Sequence, residues 1–412
     1  MNTFLPANIL IPQVKDLSKW SVIACDQFTS QEDYWNRVKE NVKDAPSSLN
    51  IVLPEIYLNG DYSYRIQSIN DEMEKYLKDG LFKEYENSYI YVERTLLNGS
   101  IRKGIIGMVD LEQYDYTEGA ISNIRASEKT VIERIPPRKE IRKDALIECP
   151  HILLLCDDDK KELIESVEKI KNSLPVLYDF DLMENGGHIK GWLMEGQTVV
   201  DFQHQLEIYD KGADRRYQDL DALAILYATG DGNHSLATAK ACYEDLKKTI
   251  SEEEALNHPS RYALVELENI HDDSLEFEPI HRIIKHTDSD KLLNSFQAMA
   301  GQYNGNPIKW VSGSESGIIY LDDSKGQMPV AILQNFLDAY LSVNEGEIDY
   351  IHGDDSLISL AKEKDSIGFL LPSMAKGDLF RGIIADGVLP RKTFSMGHAQ
   401  EKRYYLEARK IK

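Results

Sequence analysis

The sequence predicts a mixed α/β protein, and three observations carry that reading. Short apolar runs of strand length alternate with segments whose apolar residues recur every three or four positions. An Asn98-Gly99 pair between two β-rich runs marks a hairpin, so some strands are antiparallel. A polar, cap-like stretch, Thr287-Asp288-Ser289-Asp290, separates a large part over 1–286 from a smaller α/β part over 291–412, which can pack with the first as one unit.

Taken in order, Trp20-Ser21-Val22-Ile23-Ala24-Cys25 is an apolar patch of strand type that ends at Asp26-Gln27. Thr29 or Ser30 caps a helix expected over 32–42. A short strand is expected over 49–54 and a helix over 65–86. A strand over 89–95, the Asn-Gly turn and a return strand over 102–110 follow. The stretch 125–149 is mixed and partly helical. Next come a buried strand over 151–155, an amphipathic helix over 159–173 with Leu163, Val167 and Ile170 inward, and a strand over 197–200. A buried strand over 224–228 precedes a helix over 236–250 and a strand over 262–267. Beyond 290, strands over 317–320 and 367–371 alternate with helices such as 330–340. There is no internal repeat and no low-complexity tract, and strand order cannot be read from this pattern.

The 412 residues carry a formal net charge of −22. Nucleic-acid surfaces need basic residues to displace counterions, and anionic membranes attract basic segments. Neither partner is expected, although a local phosphate pocket can differ in sign from the whole. Four scattered cysteines (Cys25, Cys149, Cys156, Cys242) and the lack of a signal core in the first residues point to reduced thiols and a cytoplasmic location. No apolar run approaches the roughly 18 residues that span a bilayer. Cys149, His151 and Cys156 have only a loose ligand spacing, so no metal site is expected.

The stretch that carries chemistry is Gly230-Asp231-Gly232-Asn233-His234-Ser235, between a buried strand and a helix. That arrangement aims free backbone N–H groups and the positive dipole end at an anion. The glycines allow positive φ and close approach of a ligand. His234 and Lys240 add charge and Ser235 a hydroxyl. The plainer reading is a tight Asp231-Gly232 turn with Asn233 as helix cap.

Segment 125–143 holds seven basic residues against three acidic ones. It reads either as a cationic wall with Arg125 and Arg138 as forks, or as solvated helix faces. Asp26 ends a strand, where ligands of open α/β sheets gather. It is a candidate general base or a turn cap, and Glu128 is a similar candidate. His281 and Arg282, after Glu278-Pro279, either grip an anion or are a satisfied buried histidine and a surface ion pair.

Several segments together resemble the bacterial family described as domain of unknown function 1015. They are 89–110, Arg125-Ala126-Ser127-Glu128-Lys129-Thr130, the glycine loop, Glu278-Pro279-Ile280-His281-Arg282 and Leu389-Pro390-Arg391-Lys392-Thr393. The resemblance covers nearly the whole chain. The glycine loop in that family is similar to the phosphate loop of the ParB and sulfiredoxin superfamily, which includes DNA-partition proteins, sulfiredoxin and kinases of free serine. The resemblance implies a ParB/sulfiredoxin-like core elaborated by extra strands and helices. This chain departs from the pattern at Ser235, where arginine is usual, and at Asn233, where histidine is more frequent. It departs again at Ala126-Ser127, where many members have histidine.

The expected function is binding of a nucleotide or another phosphorylated small molecule, with phosphoryl transfer to a small hydroxyl-bearing metabolite. ATP or ADP with magnesium is the expected cofactor. Gly230, Asp231, Gly232, Asn233, His234, Ser235, Lys240, Arg125, Arg138, His281 and Arg282 form the binding set, and Asp26 and Glu128 are the catalytic candidates. A non-catalytic nucleotide-binding regulator is the alternative. A ParB-like DNA-associated protein is a further one, opposed by the charge. Nothing in the sequence fixes the oligomeric state.

Overall fold

Strands with alternating apolar residues build the larger of two sheets. In the strand Phe82–Thr95, Tyr89 and Tyr91 point into one core and Ile90 and Val92 into another, as a period of two requires. The structure is a computed structural model and describes residues 3–58, 60–220, 223–300, 305–322 and 327–412.

The larger sheet runs in the order Val176–Asp181, His188–Met194, Phe82–Thr95, Ile101–Asp110, Tyr262–Asn269, Leu153–Cys156, Tyr227–Asp231, Ile124–Ala126, Tyr114–Asp115. The expected hairpin is present, with Ile90 opposite Ile106 and Thr95 opposite Ile101. Leu153–Cys156 runs parallel to Tyr262–Asn269 and antiparallel to Tyr227–Asp231. Tyr227–Asp231 is in turn parallel to Ile124–Ala126. The sheet is therefore mixed in direction, and with its helices the chain is of the mixed α/β class that the sequence indicated.

One face is covered by Glu32–Val42, which buries Tyr34, Trp35, Val38 and Val42, and by Ser63–Lys78, which buries Ile69, Met73 and Tyr76. The other face receives Phe202 and Leu206 from Gln197–Lys211, and Leu236, Ala239 and Tyr243 from Asn233–Lys247. Burial of each such side chain contributes roughly 1.5–3 kcal/mol.

A second sheet has the order Glu315–Tyr320, Pro307–Ser312, Ser366–Leu370, Phe277–Lys285, Glu347–His352. Helices Ser289–Ala300, Pro329–Leu341 and Asp378–Asp386 supply Phe296, Leu333, Leu337, Leu379 and Phe380 to its core. Phe277–Lys285 is an interior strand here, so the stretch 287–290 does not coincide with the change of sheet.

The chain then returns. Tyr404–Tyr405 pairs with Val22–Ile23, and Arg409–Lys410 with Ile147–Glu148. Buried charges tie this tail down. Arg403 bonds Glu266 at 2.5 Å and also Glu407, while Arg409 bonds Glu148 at 2.9 Å. Arg94 donates to the carbonyls of Gly186, Gln400, Glu401 and Lys402.

Several elements differ from the sequence reading. The strand expected over 197–200 is the first turn of Gln197–Lys211, because Val199, Phe202, Leu206 and Tyr209 form one buried helical face. No strand forms over 49–54, where the chain instead makes a 3-10 turn, Ser48–Asn50, capped by Ser47. The helix expected over 65–86 stops at Lys78, and Phe82 already begins the long strand. The helix over 159–173 shortens to Ile164–Glu168 plus Lys171–Ser173, and Ile170 is exposed. Among the described residues, no helix is long and apolar enough to cross a membrane.

Candidate functional site

The strand Tyr227–Asp231 leads through Gly232 into the helix Asn233–Lys247. Gly232 has φ +74, and a Cβ there would lie 3.0 Å from Cα of Ile152, so the backbone conformation and the lack of space both call for glycine. Asp231 accepts from the Gly232 amide at 2.8 Å. The amides of Ser235 and Leu236 bond back to the Gly232 carbonyl. Those of Asn233 and His234 have no acceptor among the described residues, and both residues are partly exposed. Two N–H groups at the positive end of a helix are thus left without a protein acceptor.

Beside this turn lies His151, just ahead of the strand Leu153–Cys156 and buried. Its Nδ1 is 2.9 Å from the Tyr405 hydroxyl, and its Nε2 is 3.2 Å from Ser235 Oγ and 3.5 Å from Asp26 Oδ2. The Tyr405 oxygen also accepts from the Cys25 amide at 3.1 Å. Burial opposes charge on both His151 and Asp26, but their mutual attraction outweighs it. The carboxyl is held below its ordinary range and the imidazole above its own. An ionised Asp26 requires a proton on Nε2. Ser235 therefore faces a donor and is not activated as a nucleophile by this histidine.

Lys402 reaches in from the tail. Its Nζ is 3.2 Å from Asp231 and 3.0 Å from the Met396 carbonyl, and its charge is felt at Asp26. Arg134 is exposed, its charge is felt at His234, and it has no ion-pair partner among the described residues. The turn thus has two cations, Lys402 and Arg134, and two carboxylates, Asp26 and Asp231, around it.

The structure brings Asp26, Gly230, Asp231, Gly232, Asn233, His234 and Ser235 together, and Arg138 stands at the edge of this group. Their roles differ in detail from expectation. Asn233 turns its side-chain oxygen back to the Thr229 hydroxyl. His234 accepts from the Val131 amide at 3.2 Å, and burial with Arg138 and Arg134 nearby pushes it down to about 4. It is a neutral ring with N–H on Nδ1, and not a cation. Arg138 is engaged by Glu55 and by the Arg134 carbonyl.

Five predicted residues are used elsewhere. Arg125 bonds the carbonyls of Ser122, Leu223 and Ala224, which fixes a loop. Lys240 points away, to the Leu111 carbonyl at 2.9 Å and Glu244 at 2.9 Å. Glu128 spends its two oxygens on the amides of Lys392 and Thr393, which clamps the segment 389–393; burial raises its pKa. His281 accepts from the Leu371 amide and bonds Asp354. Arg282 is fully buried on Gln334 and the carbonyls of Ile280, Arg391 and Lys392. His281 is a satisfied buried histidine, whereas Arg282 is a core residue held by an amide oxygen and carbonyls, and neither an anion grip nor a surface ion pair.

His151, Lys402 and Tyr405 were not in the predicted set. The run Lys402-Arg403-Tyr404-Tyr405 is the only local signal for the last two. Among the described residues, no group of three His, Cys, Asp or Glu could hold a metal ion. A magnesium ion arriving with phosphate oxygens would meet Asp26 and Asp231, the first turned to His151 and Gln27 and the second to Lys402 and the Gly232 amide, so phosphate and water would supply most of its ligands.

The family model described as "Protein of unknown function (DUF1015)" matches residues 5–410, and the chain belongs to that family. Among curated proteins none matches. Three solved structures share parts of the path of the chain. SbnI with C-terminal truncation from Staphylococcus aureus is 10% identical, with 71% of this chain and 82% of that one covered and a TM-score of 0.36. A conserved hypothetical protein from Pyrococcus furiosus is 10% identical, with 73% and 93% covered and a TM-score of 0.37. A free serine kinase in complex with AMP is 11% identical, with 74% and 91% covered and a TM-score of 0.38. These likenesses are too distant to carry an activity across.

Proposed function

We propose that this DUF1015 protein binds the phosphate of a nucleotide or another phosphorylated small molecule at the turn 230–235, and transfers a phosphoryl group to a small hydroxyl-bearing acceptor. The observation that carries the reading is the pair of amides of Asn233 and His234 without a protein acceptor among the described residues, after a left-handed glycine, with Lys402 beside the turn on Asp231 and the charge of Arg134 felt at His234. We read the turn as the phosphate loop that the ParB/sulfiredoxin resemblance implies, with backbone donors taking the work of the usual arginine.

In the transfer, the bond from the terminal phosphorus to its bridging oxygen breaks, and the electron pair leaves with the departing phosphate. A bond from the acceptor oxygen to phosphorus forms, and the acceptor proton passes to Asp26. Lys402 and Arg134 offset the charge that spreads over the phosphoryl oxygens. Magnesium, when bound, supplies further charge neutralisation at the phosphates.

Thermal-shift measurements against ATP, ADP and inorganic phosphate, with and without magnesium, test the reading. A ligand at a hundredfold its dissociation constant adds about 2.7 kcal/mol. A flat response across this panel overturns it. The strong ionisation of Asp26, which weakens it as a base, favours a second reading as a regulator without turnover. Transfer is distinguished from regulation by Asp26→Asn, which should bind nucleotide and lose turnover; a parent protein that binds but never turns over supports the regulator.

A further inference from the structure

Next to the phosphate turn is a cavity of about 150 Å³. Its body is apolar: Ile51, Leu53, Met73, Ile141 and Ile147 come from four separate stretches of the chain. Its polar groups are confined and matched. Arg138 is paired with Glu55, and Arg142 with Glu148 at 2.6 Å. The Cys25 thiol is pushed up to about 12 by burial and then by Asp26, so it is an uncharged surface. At one end stand His151 and Ser235, the same pair that faces Asp26. Ser235 and Thr238 belong to the first turns of the helix that starts at the phosphate turn, so cavity and phosphate turn share one wall.

We infer that this cavity holds the body of the acceptor, and that the acceptor is an uncharged alcohol on an apolar frame of about six carbons. The size of the seated part follows from comparison, since an apolar space of about 150 Å³ takes a benzene ring, and the open side of the pocket leaves the hydroxyl end free. The lack of charge follows from the pairing. An amino-acid acceptor would bring an ammonium and a carboxylate into a space where both arginines and both glutamates are already engaged, at a desolvation cost with nothing to offset it. The hydroxyl is placed at the His151–Ser235 end, because the Ser235 hydroxyl and the His151–Tyr405 pair are the polar groups there that are not tied into an arginine–glutamate pair. The fate of the hydroxyl rests on the phosphoryl-transfer reading; the apolar pocket does not.

Ligand-observed saturation-transfer NMR on the full chain, with benzyl alcohol as probe and glycerol and serine as polar counterparts, tests the inference. Benzyl alcohol should receive saturation, and glycerol and serine none. Ile141→Trp, which fills the cavity, should weaken benzyl alcohol at least about tenfold while the nucleotide thermal shift stays. Leu53→Ala, which enlarges it, should admit 2-naphthylmethanol. Absence of benzyl alcohol binding, or equal binding in Ile141→Trp and the parent, overturns the inference, as does serine binding that Ile141→Trp removes. Loss of the nucleotide shift in the parent would sink the phosphate reading alone and leave the pocket to be judged on the alcohols.

Discussion

The hydroxyl of Tyr405 sits 2.9 Å from Nδ1 of His151, although 254 positions separate them in the chain. Through that contact the tail holds the imidazole so that Nε2 faces Asp26 and Ser235. Tyr405→Phe removes one buried hydroxyl and leaves His151 Nδ1 and the Cys25 amide without this partner. The expected loss is about 1–3 kcal/mol of stability, read as a lower urea midpoint, with the nucleotide thermal shift retained and turnover reduced. Unchanged turnover would show that the orientation of His151 is irrelevant to the chemistry.

Gly232→Ala should fail on two counts. The left-handed backbone disfavours a Cβ by roughly 1–2 kcal/mol. The added atom also meets Ile152 at 3.0 Å, which pushes the turn off its course. Binding of phosphate-bearing ligands should fall by more than tenfold in titration calorimetry, whereas Gly99→Ala, at a turn with open space around it, should leave binding alone.

Lys402→Met keeps length and removes charge. It frees Asp231 from its 3.2 Å partner and leaves the phosphate with one cation fewer. The expected outcome is a roughly tenfold weaker nucleotide affinity that depends less steeply on salt, with the fold intact by circular dichroism. Lys240→Met, at a lysine turned away from the turn, is the control and should change affinity little.

His234 gives the protein a pH signature. Its folded pKa, about 4, lies below the ordinary 6.5. A histidine depressed on folding contributes stability that is fully present above 6.5 and is lost as pH falls toward 4. His151, shifted upward, works in the other direction and loses its contribution as pH rises above 6.5. Urea midpoints between pH 7 and pH 4.5 should therefore fall in the parent, and His234→Gln should flatten that slope by on the order of 2 kcal/mol.

Arg403→Met is predicted to be among the most damaging changes outside the turn. It strands Glu266 and Glu407 without their countercharge in a region closed to solvent. Breaking such a pair typically costs about 3–5 kcal/mol. Calorimetry should show the lowered transition temperature, and the double change with Glu266→Gln should recover part of it.

Much of this architecture was legible where the signal is local. The helix over 32–42 and the hairpin at Asn98-Gly99 needed only periodicity and turn chemistry, and both are present. So is the strand–glycine–helix order at 227–247, with the helix starting three residues earlier than expected. The misreadings arose where local preference and packing disagree. Thr198, Val199 and Val200 favour a strand, yet Phe202 and Leu206 make the same stretch one side of a helix against the sheet. The site shows the same limit. Asp26 was visible as a carboxylate at a strand end. Arg125 read as a phosphate fork, and Arg282 as an anion grip or a surface ion pair, because residue type says nothing about which carbonyls will surround a guanidinium. Lys402 and Tyr405 lay in a stretch without pattern, and only the fold of distant segments gives them a place.

The returning tail makes the site a property of the whole chain. Residues 402–410 are held by strand pairs to Val22–Ile23 and Ile147–Glu148 and by the Arg403–Glu266 ion pair, and Lys402 and Tyr405 stand at the phosphate turn. The Ala24 amide bonds the Arg403 carbonyl and the Cys25 amide the Tyr405 hydroxyl, so the approach to Asp26 is braced from a segment about 380 positions away. A site assembled in this way takes shape only after residues beyond 400 have been made and have docked.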